Sequence, residues 1–143
     1  MPRDFLQEAI KLAREDNAKK EGQLRQKNNR NSSGKVSNHI RQNNRRYDVF
    51  AIAVDKKHRE IVQGRNSYIK THPMQERFAN LAGEEDKRFL HAEIHAISRA
   101  SKPYAIYIAR VGRDGTTKLA KPCRICELAI KESGIKEVYY THG

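Results

Sequence analysis

Two short segments of this 143-residue chain combine residue types and spacing that could do chemistry: His91-Ala92-Glu93 and Pro122-Cys123-Arg124-Ile125-Cys126. Imidazole and thiolate are zinc ligands, and a catalytic zinc site keeps its fourth position open for water. His91, Cys123 and Cys126 supply three protein ligands, which is the open count. The cysteines lie three apart, so both can face one ion from the first turn of a helix. A helix N-terminus favours negative charge and helps to hold thiolates ionised. Pro122 suits such an entry, because its missing N–H costs nothing in a first turn. Glu93, two positions after a ligand, can lean over water at the metal without occupying the metal itself. Zinc lowers the pKa of water to about 7 in favourable sites. A nearby carboxylate can take that proton and return it to a ring nitrogen and a departing ammonia. Hydrolytic removal of an amino group from an amidine-like base needs this division of labour.

Other readings of the same residues stay open. A Cys-x-x-Cys pair also serves structural metal sites and redox dithiols. A nucleic-acid-binding module with a purely structural zinc would need a fourth ligand, such as His95 or His72, and would have no use for Glu93. A redox protein would cycle Cys123 and Cys126 between dithiol and disulfide. His95 lies four after His91 on the same helix face, and His72 sits in a loop before Pro73. His95 could approach the site, with a packed or solvent-facing role as the alternative; His72 could line the pocket or serve only the turn.

The elements that must position these residues follow from periodicity. Phe5, Leu6, Ala9, Ile10, Leu12 and Ala13 share one broad face and predict a helix over Asp4–Asn17, with Asp4 and Gln7 resembling a capping box. A short second helix is expected around Val36–Gln42, after a break at Ser32-Ser33-Gly34. Val49–Val54 is an apolar run of strand length. Asp55–His58 is a polar turn and Glu60–Gly64 a returning strand, which together read as a hairpin. A short helix is expected near Met74–Leu81, and Leu90, Ile94 and Ile97 predict a helix over Arg88–Ala100. Tyr104–Ala109 reads as a third strand, Cys123–Glu132 as a helix ended by Gly134, and Ile135–Thr141 as a fourth strand. Strands separated by helices imply crossover connections, hence an α/β fold with a mixed β-sheet flanked by helices.

Length allows one domain and little more. The expected division is an N-terminal helix and basic polar segment over residues 1–46, followed by a core over 47–143. The net charge of +12 is concentrated between Asn17 and Arg46, where nine Lys or Arg meet a single acid, Glu21. Two readings fit that segment: a solvated stretch, or an electrostatic arm for RNA, DNA or nucleotide phosphates. No run of about 20 apolar residues exists, so a membrane span is not expected. The first residues lead into an amphipathic stretch and not into a signal sequence, so a cytoplasmic protein is expected. In a reducing compartment the cysteine spacing points to metal binding or redox chemistry rather than a structural disulfide.

The pattern His-x-Glu followed by Pro-Cys-x-x-Cys is the signature of zinc-dependent nucleobase deaminases. On His91-Ala92-Glu93-Ile94 and Pro122 through Cys126, the chain resembles the cytidine deaminase-like superfamily. That superfamily includes cytidine and deoxycytidylate deaminases, tRNA adenosine deaminases and polynucleotide cytidine deaminases. The resemblance covers roughly Tyr47 to Thr141. It implies that His91, Cys123 and Cys126 bind zinc and that Glu93 shuttles protons. It also implies that Asn66, in Gly64-Arg65-Asn66 after the second strand, contacts the substrate sugar; a turn-forming asparagine is the alternative. The usual fold of the family has five strands, with both metal-bearing helices on one face, whereas four strands are countable here. The implied substrate is cytosine in a nucleoside, a nucleotide or single-stranded nucleic acid, with adenosine in RNA as the alternative. Relatives commonly form homo-oligomers.

Overall fold

A computed structural model describes residues 3–30, 48–87 and 89–143. The expected helix at Val36–Gln42 and the break at Ser32-Ser33-Gly34 lie outside these residues, as does Tyr47.

Helix α1 spans Phe5–Arg30, starting where the apolar face predicts and running thirteen residues beyond Asn17. Residues 18–30 lack an apolar period but hold mostly Ala, Lys, Gln, Glu, Leu and Arg, all good helix formers, with no proline. Asp4 Oδ1 accepts from the Gln7 backbone N–H at 3.1 Å, which caps the first turn.

Strands β1 (Asp48–Val54) and β2 (Ile61–Arg65) form the expected antiparallel hairpin. The Asp55 carboxylate accepts from the Arg59 and Glu60 N–H groups within the turn. Helix α2 spans Pro73–Leu81. Helix α3 is Ala92–Arg99, shorter than the expected Arg88–Ala100. Residues 89–91 are extended backbone instead: Phe89 bridges Thr71, and the Leu90 N–H donates to the Lys70 carbonyl. That pairing makes His91 the N-cap residue of α3. Strand β3 (Ala105–Val111) is followed by β4 (Thr117–Lys118), α4 (Arg124–Ser133) and β5 (Glu137–Tyr140). Gly134 ends α4 with φ 83°, the left-handed conformation that glycine adopts without penalty.

The sheet has five strands, not four, the addition being the two-residue β4. β1 pairs antiparallel with both β2 and β3, while β5 pairs parallel with β3. β4 pairs antiparallel with Arg110 and Val111, beyond the stretch that β5 occupies on β3. β4 and β5 therefore share one edge of β3, and the sheet is four strands wide.

Both faces are covered, which explains why β1 and β3 read as continuous apolar runs. Ile52 and Val54 of β1, with Ala105, Ala109 and Val111 of β3, pack under Phe5, Ala9, Ile10 and Ala13 of α1. The alternate residues Ala51, Ala53, Ile106 and Ile108 face α2, α3 and α4. Polar bonds also tie α1 down: Arg14 Nε donates to the Gly115 carbonyl at 3.0 Å and Asn17 Nδ2 to the Arg113 carbonyl at 3.1 Å. Residues 5–17 thus complete one layer of the core. On the other side, a Cβ at Gly64 would overlap the Ala96 nitrogen and the Ala92 carbonyl oxygen. The bare glycine lets α3 lie directly on β2.

Candidate active site

The N-termini of α3 and α4 meet on one face of the sheet. Each N-cap residue has extended backbone, His91 at φ −85° and Cys123 at φ −71°, and neither side chain caps its own helix. The two side chains turn towards each other. His91 Nδ1 lies 3.3 Å from Cys126 Sγ and 3.5 Å from Cys123 Sγ. The three donor atoms lie within 4.8 Å of one another, and they form the metal-capable cluster among the described residues.

The donor set fits zinc. Tetrahedral coordination with ordinary Zn–S and Zn–N bonds sets sulfur and nitrogen ligands about 3.6 Å apart, so the observed triangle needs only slight opening. A hydrogen bond from Cys126, followed by the His91 bond and charge, holds the Cys123 thiol down at about 3 against burial. The same bond, with burial, pushes the Cys126 thiol well above the ordinary range. Burial draws His91 down, but the bond and charge of Cys123 outweigh it and the net shift is upward. Of the two cysteines, Cys123 is the one this environment favours as thiolate, and two helix N-termini favour that charge.

Gln75, fully buried on α2, holds this geometry from outside. Its Oε1 accepts from the His91 backbone N–H at 3.0 Å, and its Nε2 donates to the Lys87 carbonyl at 3.1 Å. Sequence reasoning missed Gln75. The available signal was its spacing with Phe78 and Ala79, the i, i+3, i+4 stripe of a buried helix face.

A cleft of about 470 Å³ opens beside the three donors. His91 and Cys123 line it, as do Glu93 and Asn66. Glu93 is 7% exposed in the first turn of α3, and burial, above all, raises its pKa. Asn66 Oδ1 accepts from the Val49 N–H at 3.0 Å, which fixes its side chain at the end of β1. Tyr68, Phe89, Leu90, Ile108 and Leu119 supply apolar walls, and Lys87, Arg110 and Lys121 supply cations. Sequence analysis singled out none of these wall residues for function.

His95 and His72 are engaged elsewhere. His95 Nδ1 accepts from the Arg65 N–H at 3.1 Å, and His72 Nδ1 accepts from the Met74 N–H at 3.1 Å as the N-cap of α2. Neither joins the metal-capable cluster, so a fourth protein ligand is not found among the described residues. Three donors beside an open cleft can bind a metal and still admit a small reactant.

Comparison with known proteins places this arrangement. A model of the cytidine and deoxycytidylate deaminase zinc-binding region matches residues 27–142. No curated protein matches the chain. Among solved structures, a glutamate-to-glutamine mutant of cytidine deaminase from Mycobacterium tuberculosis is 22% identical. That match covers 68% of this chain and 68% of that one, at a TM-score of 0.40.

Proposed function

The chain belongs to the cytidine and deoxycytidylate deaminase zinc-binding family, and from that premise we propose that it removes the amino group of cytosine by zinc-dependent hydrolysis. His91, Cys123 and Cys126 hold the zinc. Bound there, zinc supplies Lewis acidity that makes water a ready proton donor near neutral pH. The net change adds the oxygen of water to the amino-bearing ring carbon and expels ammonia, leaving a carbonyl.

The protons pass through Glu93. Its carboxylate takes one from water and delivers it through Oε to the ring nitrogen. It then carries the second to the departing amine. Burial suits this role, because a carboxylate with a raised pKa is a stronger base and releases its proton closer to neutral pH. Asn66, steadied by Val49, contacts the sugar. Phe89, Leu90 and Ile108 keep bulk water from the base.

The observation that carries this reading is the position of Glu93. It is buried in the same cleft as His91 and Cys123, yet stands outside the donor trio. A structural zinc module would leave such a carboxylate without work. Glu93→Gln tests the point: one zinc per chain should remain while ammonia release falls at least a hundredfold, about the loss expected for a proton-transfer residue. A variant that keeps its turnover sinks the proposal. Substrates to compare are cytidine, deoxycytidine, their monophosphates, adenosine, and short single-stranded DNA and RNA.

Three further parts belong to the same proposal. The basic segment over 17–46 binds polyanions, in keeping with its charge. Copies of the chain associate, in keeping with the exposed Val138 and Tyr139 of edge strand β5. The setting is cytoplasmic, where thiols stay reduced for metal; among the described residues no helix is long and apolar enough to cross a membrane.

A further inference from the structure

Strand β5 is unlike the two strands at the middle of the sheet. β1 and β3 are mostly buried, whereas Glu137, Val138 and Tyr139 of β5 are exposed and Tyr140 is half-buried. β5 pairs with β3 along one side, and along its other side no strand lies among the described residues. Its charges, Lys136 and Glu137, sit together at its start, and it contains no proline. An open edge without such blunting is a template for another strand.

The hydrogen bonds show which groups face outward. The Glu137 N–H donates to the Tyr104 carbonyl at 3.2 Å and the Thr141 N–H to the Ile108 carbonyl at 3.0 Å, both towards β3. Alternation gives Tyr139 the same direction and turns the N–H and C=O groups of Val138 and Tyr140 to the open side. The Lys136 N–H is also spent inward, on the Tyr104 carbonyl at 2.8 Å. On the α1 side of the strand the Tyr139 ring stacks on Tyr107, with centroids 4.9 Å apart and planes 12° from parallel.

We propose that this edge pairs antiparallel with β5 of a second copy, about a two-fold axis normal to the sheet at Tyr139. The inference rests on the reading that copies of the chain associate, and it names the surface and the register. Such an axis keeps facing residues on one side of the sheet, so it passes through a single residue of the strand, Val138 or Tyr139. Centred on Val138, the ladder sets Tyr140 against Lys136, whose N–H already serves Tyr104. Centred on Tyr139, it sets Val138 against Tyr140 of the second copy, and both present free edges; each such pair exchanges both N–H···O bonds. Tyr139 then meets its own counterpart in a non-hydrogen-bonded pair, where side chains approach most closely. The Tyr107–Tyr139 stack continues into the second copy as one row of rings. The paired Lys136 and Glu137 of the two copies lie at opposite ends of the ladder, so like charges do not meet. The strand is therefore complementary to itself, as a closed two-fold contact requires.

The test is sedimentation of the zinc-loaded full chain over a range of concentrations, with disulfide trapping of the register. A contact this small belongs to the weak class, so the dimer should form and dissociate with concentration. Val138→Pro removes an outward N–H from each copy and no bond to β3; it should keep its zinc and weaken the dimer about tenfold or more. Under mild oxidation Tyr139→Cys should yield a covalent dimer while Val138→Cys does not, with the parent giving the background from Cys123 and Cys126. Trapping by Val138→Cys and not by Tyr139→Cys overturns the register. A dimer that Val138→Pro leaves intact and Tyr139→Cys fails to trap overturns pairing through β5, while the association of copies stands. A chain that stays monomeric at every concentration removes both. If Val138→Pro loses zinc, the trapping result alone decides.

Discussion

Gln75 Oε1 accepts the backbone N–H of His91, sixteen positions further along the chain, at 3.0 Å and with the Gln75 side chain wholly buried. The same amide donates to the Lys87 carbonyl. One side chain on α2 therefore sets where the extended 89–91 backbone stops and α3 begins, and so where the His91 ring points.

Gln75→Met keeps the length of the side chain and removes both hydrogen bonds. Leaving partly buried backbone groups unpaired costs about 1–3 kcal/mol each at most. A lower thermal midpoint is expected, together with faster zinc loss to a chelator. A variant as stable as the parent but quicker to lose zinc would mark Gln75 as a positioning residue; unchanged zinc retention would reduce it to a core amide.

The donor triangle predicts a shared response to ligand loss. His91→Ala, Cys123→Ser and Cys126→Ser should each leave the purified protein with less than one zinc per chain and without ammonia release. Metal analysis by atomic emission checks this directly. Stripping zinc from the parent protein should also lower its thermal midpoint, because a ligand that binds only the folded state stabilises it by mass action. Full zinc occupancy in any of the three variants would mean a different ligand set.

Gly64→Ala should damage both fold and site. The added methyl would overlap α3 backbone at Ala92 and Ala96, where no flexible side chain can yield. Overpacking of this kind costs about 1–3 kcal/mol, and more where backbone is the obstacle. Since α3 carries His91 and Glu93 at its start, any shift that relieves the clash moves them too. A drop in midpoint with loss of activity is expected, and a neutral substitution would contradict the close approach of β2 and α3.

These cases show what the sequence made legible and why. The chemistry-bearing residues could be read because their types are rare and their spacing is short: two cysteines three apart, and a histidine two before a glutamate. The strands could be read because β1 and β3 are covered on both faces and so carry the unbroken apolar runs Val49–Val54 and Ala105–Ala109. The structure departs from expectation where the deciding interaction is long-range. The 89–91 segment is extended through its pairing with Lys70 and Thr71, which no helical period reveals. β4 is two residues long and exists through its ladder to Arg110 and Val111. Residues 18–30 carry helix propensity without an apolar face, so periodicity passed over them.

The last prediction concerns His95, whose pKa is lowered by burial first, then by Arg99 on α3 and by Arg65 on β2, with His72 at the start of α2 also acting downward. The Arg65 backbone N–H donates to its Nδ1 and needs the neutral ring. An unfolded histidine titrates near pH 6.5, so between that value and the lower folded value the unfolded chain binds more protons. The stabilising contribution of neutral His95 is therefore fully present above about pH 6.5 and is lost as pH falls through the folded pKa. His95→Asn keeps an acceptor at the position of Nδ1 and cannot titrate. In denaturant titrations at pH 7.5 and pH 5, the parent should lose more stability on acidification than the variant. Equal losses would show that acid acts elsewhere, and the Arg65 contact would then carry no pH dependence.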